Sequence, residues 1–167
     1  VSSKDPSDPN DQAPSRFVVW FGNGDGSFNK DTQRRYATES APRGILPADL
    51  DGDGDTDAIT VHPSSGTLVI FGAKSGGSFV NLDSVYVGKY IKSVYNWDIN
   101  NDNLTDIISV NGEGTLTVLI NNGNMSFTKY FYYVAHAPLS GAPYEVDGDG
   151  ILDIIIANYA SNDFSLV

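Results

Sequence analysis

The sequence predicts an all-β fold of repeated four-stranded, propeller-type sheets, and three observations carry that expectation. The apolar stretches are short and β-branched, and none has a convincing helical period with caps. Acidic loops recur three times, with starts 49 and 47 residues apart. Between them an apolar strand, a Gly/Asn turn and a Ser-Phe pair also recur. Their register points Phe17, Leu68, Leu116 and Phe164 lie 51, 48 and 48 residues apart. Repeats of 20–50 residues mark propellers, solenoids or arrays, and four strands in about 49 residues is the size of a propeller blade.

In chain order, residues 1–16 contain Pro6, Pro9 and Pro14 and almost no apolar side chains, which predicts a linker or loosely held N-terminal arm. Residues 17–167 carry the repeats, in the register 17–67, 68–115 and 116–163, with 164–167 starting a fourth. Each period reads as one strand before the acidic loop (Ile91 to Trp97 is the clearest), one after it, a third of the Leu68 type, and a fourth opening at Ser-Phe. Three blades are fewer than the four to eight of closed propellers. The expectation is therefore an incomplete propeller: a fragment of a larger one, or one completed between chains, as an oligomer or a head-to-tail assembly.

The loops carry the chemistry. The first, from Asp49 to Asp57, has five carboxylates on alternate positions: Asp49, Asp51, Asp53, Asp55 and Asp57. Like charges that close repel unless a cation neutralises them. Side-chain oxygens at positions 1, 3, 5 and 9 can converge on one centre, with the position-7 carbonyl as a further ligand. Two glycines let the backbone turn around it. The second loop offers Asp98, Asn100, Asp102 and Asp106, with Leu104 at position 7. The third offers Glu145, Asp147, Asp149 and Asp153, with Ile151 at position 7. Flexible, all-oxygen ligation suits Ca²⁺ better than Mg²⁺, which demands a stricter octahedron. An EF-hand is excluded, because position 12 is Thr60, Ser109 and Ile156 rather than a carboxylate, and β-branched runs follow instead of helices.

Twelve of the 21 acids lie in these loops, and three Ca²⁺ ions would bring the formal charge from −11 to about −5. The acidity is thus mostly a metal signature, and no basic stripe is present to meet nucleic-acid phosphates. The chain has no cysteine, hence no disulfide or thiolate zinc site. No apolar run approaches a membrane span. The absence of a visible signal peptide and the Val1 start suggest a processed or excised piece of a secreted protein.

These residues resemble the FG-GAP/VCBS repeat, the blade unit of integrin-α-like β-propellers. The matching pieces are Phe21-Gly22 and Phe71-Gly72, the Gly/Asn turn with Ser-Phe, and the Asp-x-Asp-Gly-Asp-Gly-x-x-Asp loop. The resemblance implies one structural Ca²⁺ per loop, about three in all, on the side chains named above. The second loop departs from the pattern with Asn101 and Asn103 for the glycines and Asn100 for one carboxylate; its three carboxylates, against five and four in the others, predict the weakest site. Glu145 in the third must fold back to ligate. The third copy's turn has Asn121-Asn122 in place of Phe-Gly.

Other residues point less clearly to function. The only histidines, His62 and His136, have no sequence-local partners for a triad, so no enzyme is expected. Asp55, at position 7, is expected to face solvent. The aromatics Tyr86, Tyr90, Tyr95, Trp97 and Tyr130 to Tyr133 are expected to pack between blades, with stacking on sugars as the alternative. Asn124, in a predicted turn, and Asn103, inside a loop, fit the N-glycosylation pattern. The reading is an extracellular or cell-surface calcium-stabilised adhesion or structural module that assembles with other copies or meets a glycan or protein ligand. The alternatives are a lectin-type propeller and an accessory domain of a polysaccharide-degrading enzyme.

Overall fold

A computed structural model describes residues 15–134 and 136–167. The expected arm falls almost wholly on residues 1–14, outside the described residues. Among the described residues there is no helix. Thirteen strands among the described residues form four antiparallel sheets. Strands β1 (Arg16–Gly22) and β2 (Phe28–Ala37) make a two-stranded sheet. β3 (Gly44–Ala48), β4 (Asp57–His62), β5 (Thr67–Lys74) and β6 (Ser78–Tyr86) make a four-stranded one in that order. β7 (Ile91–Trp97), β8 (Asp106–Asn111), β9 (Thr115–Asn121) and β10 (Phe127–Tyr133) repeat it. β11 (Pro138–Tyr144), β12 (Asp153–Asn158) and β13 (Asp163–Leu166) make a three-stranded sheet.

The expectation of three four-stranded sheets is therefore met in two, and among the described residues no sheet closes on itself. Periodicity sets a repeat's length and leaves its phase free. The apolar-turn-Ser-Phe unit that marks each repeat is the third and fourth strand of a sheet, so β1 and β2 stand as a pair.

The central strands of each sheet carry the core. β4 and β8 are buried at every position, because alternate side chains leave opposite faces of a strand and both faces are covered. Ile59 and Val61 of β4, with Leu68 and Ile70 of β5, pack against Ile107 and Leu119 of the next sheet. The opposite faces of the same strands, through Ala58, Val69 and Phe71, pack against Phe17 of β1. Ile108, Val110, Leu116 and Val118 then meet Ile154 and Ile156 of the three-stranded sheet. Phe17 is buried and packs edge-on to Phe71, ring centroids 4.8 Å apart, while stacking on Tyr36 at 5.0 Å. Burial on both faces explains why β4, β8 and their neighbours read as unbroken β-branched runs rather than alternating ones.

A polar plug closes the second strand of each of the three sheets that carry an acidic loop, five residues after the last loop carboxylate. In the first four-stranded sheet it is His62, in the second Asn111, and in the three-stranded sheet Asn158, all buried. The Asn111 amide donates to the Val87 carbonyl at 2.7 Å and accepts from the Ser109 hydroxyl at 2.7 Å. Asn158 donates to Asp163 and Ser165. The His62 ring sits between the hydroxyls of Ser40, 2.9 Å from Nδ1, and Thr60, 2.8 Å from Nε2. Buried polar groups so partnered avoid the cost of lost solvation; the Asn158 side-chain oxygen is the exception, buried with no partner among the described residues.

Candidate metal centres

All three acidic loops are the hairpin connections between the first and second strands of a sheet: β3–β4, β7–β8 and β11–β12. Their hydrogen bonds follow a common plan, though the N–H groups taken by the position-1 side chain differ by a residue between loops. The position-1 carboxylate folds back over the turn: Asp49 accepts from the backbone N–H of Gly52 (2.8 Å) and Gly54 (3.0 Å), and Asp98 from those of Asp102 (3.0 Å) and Asn103 (2.8 Å). Glu145 reaches the Gly148 N–H in the same way, so its longer side chain does fold back. The position-5 side chain accepts from the N–H two residues on, in Asp53, Asp102 and Asp149 alike.

Positions 4 and 6 carry left-handed backbone in every loop. Gly52 and Gly54 have φ of 76° and 87°, Gly148 and Gly150 88° and 79°, and Asn101 and Asn103 59° and 66°. Asparagine is the side-chain-bearing residue that best tolerates this region. The two Gly-to-Asn departures of the second loop therefore preserve its shape.

The position-9 aspartates are set apart by burial. Asp57 and Asp106 are 2% and 0% exposed. Each carboxylate joins two pieces of chain. Asp57 accepts from Leu50 N–H at 2.8 Å and from Ala73 N–H, at the end of the third strand, at 2.7 Å. Asp106 does the same with Ile99 (2.9 Å) and Asn121 (2.8 Å). Asp153 accepts from Val146 at 2.9 Å. Burial pushes the Asp57 and Asp106 carboxyls above the ordinary aspartate value. The N–H donors oppose that shift, and the neighbouring loop carboxylates add to it.

The loops differ in how they gather charge. Among the described residues, Asp49, Asp51 and Asp57 each place a carboxylate oxygen within 4.8 Å of the others, and so do Glu145, Asp147 and Asp149. Asp53 and Asp153 fall outside these two groups. The second loop has no such trio: its Asn100 amide donates to Asp102 at 2.8 Å, an internal contact where a carboxylate would repel. Asp55 is exposed, as expected. Leu104 and Ile151 hold the same loop position. Asn103 and Asn124 are both exposed. The donors fit a hard divalent cation, since all are oxygens on a backbone bent around one point.

Sequence reading missed Asn121. It appears there only as a departure from Phe-Gly, yet it is buried, and its amide donates to the Leu50 carbonyl at 2.9 Å and the Thr105 carbonyl at 3.1 Å. Leu50 is in the loop of one sheet and Thr105 in the loop of the next, so one side chain joins two consecutive loops. The aromatics need a correction. Tyr95 is half-buried, its hydroxyl donating to the Gly141 carbonyl of the neighbouring sheet. Tyr86, Tyr90, Trp97 and Tyr130 to Tyr133 are instead exposed. Tyr86 and the run from Tyr130 lie on β6 and β10, outermost strands with a neighbour on one side only. Trp97 and Tyr144, each just before a loop, line a cavity of about 390 Å³ with Asp98 and Glu145.

No helix among the described residues is long and apolar enough to cross a membrane. No curated protein matches the chain. The family model of the FG-GAP-like repeat matches residues 10–60 and 98–156, about two-thirds of the chain. The matched segments contain all three acidic loops, including Asn101 and Asn103 of the divergent second one. With that agreement of sequence and loop geometry, the chain belongs to the FG-GAP-like repeat family.

Proposed function

We propose that this β-repeat module is stabilised by calcium, one ion per loop, and serves as a non-enzymatic extracellular element of adhesion or assembly. The observation that carries the reading is the convergence of Asp49, Asp51 and Asp57 within 4.8 Å of one another. Two unit charges at that separation repel by about 1–3.5 kcal/mol, taking effective dielectrics of 80 and 20. No basic side chain is paired with them among the described residues. A divalent cation reverses the sign of this term. It would be held by Asp49, Asp51, Asp53 and Asp57, by Asp98, Asn100, Asp102 and Asp106, and by Glu145, Asp147, Asp149 and Asp153. The ion supplies charge neutralisation and a cross-link between the first two strands of a sheet.

Extracellular work fits this requirement, because calcium there is abundant enough to fill a structural site without regulation. The absence of cysteine neither supports nor opposes that placement. The test is calorimetric. Titration of the chelator-treated protein with CaCl₂ is expected to show up to three sites, with the melting temperature rising by mass action. MgCl₂ at the same concentration is expected to do much less. Equal melting in calcium and in chelator would refute the proposal.

A further inference from the structure

We propose that the groove between the first strands of the two four-stranded sheets binds a carboxylate-bearing saccharide. This groove, of about 740 Å³, lies between β3 and β7, away from the acidic loops. The volume falls in the range of small-ligand sites. Its charge is the reverse of the rest of the molecule. The chain carries 21 acidic residues and a formal charge of −11, but the only charged side chains lining the groove are Arg43 and Lys92. Among the described residues, neither has an ion-pair or side-chain hydrogen-bond partner. Two unpaired cations facing a space free of carboxylates form an electropositive cleft on an acidic protein, and low-dielectric walls focus such a field.

The neighbouring groups favour a sugar over a bare anion. Tyr90 lines the groove and the residue is 64% exposed, which offers an aromatic side chain to the apolar side of a pyranose. Its backbone is held at φ 59°, with its carbonyl accepting from Gly112 N–H at 3.0 Å. Gly112 allows the close approach. A Cβ there would lie 2.7 Å from the Lys92 Cε and 3.1 Å from the Tyr90 Cβ. The stems of Lys92 and Tyr90 thus lie against one bare turn, side by side. Ser64 and Ser93 also line the groove; the Ser93 hydroxyl is itself buried, without a hydrogen-bond partner among the described residues. In this arrangement Arg43 and Lys92 take the carboxylate by charge-assisted hydrogen bonds, and Tyr90 takes the ring.

This site does not depend on the loops being calcium sites, and its test runs in calcium so that both states of that question are held constant. The amide NMR spectrum of the full chain is recorded during titration with 3′-sialyllactose, and separately with lactose, which lacks the carboxylate. Shifts are expected at residues 43–46 and 90–94 with the acidic sugar only. Arg43→Gln and Lys92→Gln, both at exposed positions, are each expected to weaken binding about tenfold. About 0.5 M NaCl is expected to weaken it in the unaltered protein through screening. Equal binding of lactose, or undiminished binding by both variants with native spectra, overturns the proposal. So do shifts confined to other residues. An acetylated Asp-Asp-Gly peptide binding at the same amides as tightly as sialyllactose would overturn the saccharide assignment in favour of acidic peptide.

Discussion

Removing the Asp57 carboxylate separates the two roles that a loop aspartate can have. In Asp57→Ala, two backbone N–H groups lose their acceptor: Leu50, whose residue is fully buried, and Ala73 at the end of β5. Each orphaned donor costs about 1–3 kcal/mol. The loss is partly offset, because burial and the charges of Asp51 and Asp53 already disfavour an ionised Asp57, and the alanine removes that strain. A net loss of about 2–4 kcal/mol in chelator is expected, roughly 4–16 °C in melting temperature for a chain of this size. Asp53→Asn is the control. Asp53 is exposed and accepts one local N–H, from Asp55, which an amide oxygen can also accept. It should melt like the unaltered protein in chelator and lose only its response to calcium. The assay is scanning calorimetry of both variants in excess EDTA and in millimolar CaCl₂. An Asp57→Ala protein that melts within about 2 °C of wild type in EDTA would refute the cross-link argument. An Asp53→Asn protein equally destabilised in both buffers would show that Asp53 does not serve an ion.

Three further outcomes are expected. Asn121→Ala strips the buried Leu50 carbonyl and the partly buried Thr105 carbonyl of their donor and should lower stability by about 2–4 kcal/mol in urea unfolding; a change within experimental error would mean that consecutive loops are not coupled through this side chain. Asn100→Asp removes an internal donor to Asp102 and restores a carboxylate, so it should destabilise the chelated protein while tightening calcium at the second loop roughly tenfold by titration calorimetry. His62 provides a pH test. Burial holds its pKa below the ordinary 6.5, opposed by Ser40 and Glu39, so the unfolded chain takes up a proton first. Its contribution to stability should be constant above about pH 6.5 and be lost as pH falls from there through the depressed folded value. His62→Asn, which places at this position the residue found at 111 and 158, should flatten that limb between pH 7 and 5 in saturating calcium; an unchanged profile would assign the acid sensitivity to other groups.

Much of this fold is legible in the residues, for a physical reason. The loops announce themselves because oxygen donors on alternate positions, with residues that accept φ > 0 between them, have few other uses. The strand before the second loop coincides with its expected span, from Ile91 to Trp97, since apolar and turn residues bracket it. Sheet phase is less legible, because hydrogen-bonded neighbours are chosen by long-range pairing, and nothing local separates Tyr86 from Ile91 more sharply than His62 from Thr67. The exposed tyrosines were unreadable for a related reason. Tyr130 and Tyr132 have the composition of a buried strand, but among the described residues no strand pairs beyond β10, and both are exposed. Asn121 was hidden because its partners, Leu50 and Thr105, are 71 and 16 residues away.

The two-faced central strands have a consequence for how such a chain changes in length over time. Each apolar core is made by two adjacent sheets and never by three, so the molecule behaves as a nearest-neighbour array. Inserting or deleting one whole period recreates the same kind of junction on either side, with a β4-like face meeting a β8-like face. A partial insertion would leave one face of a strand such as β8 without its counterpart. Duplication in units of about 49 residues is therefore the tolerated step, and variation in sheet number is the form of evolutionary change this architecture permits most readily.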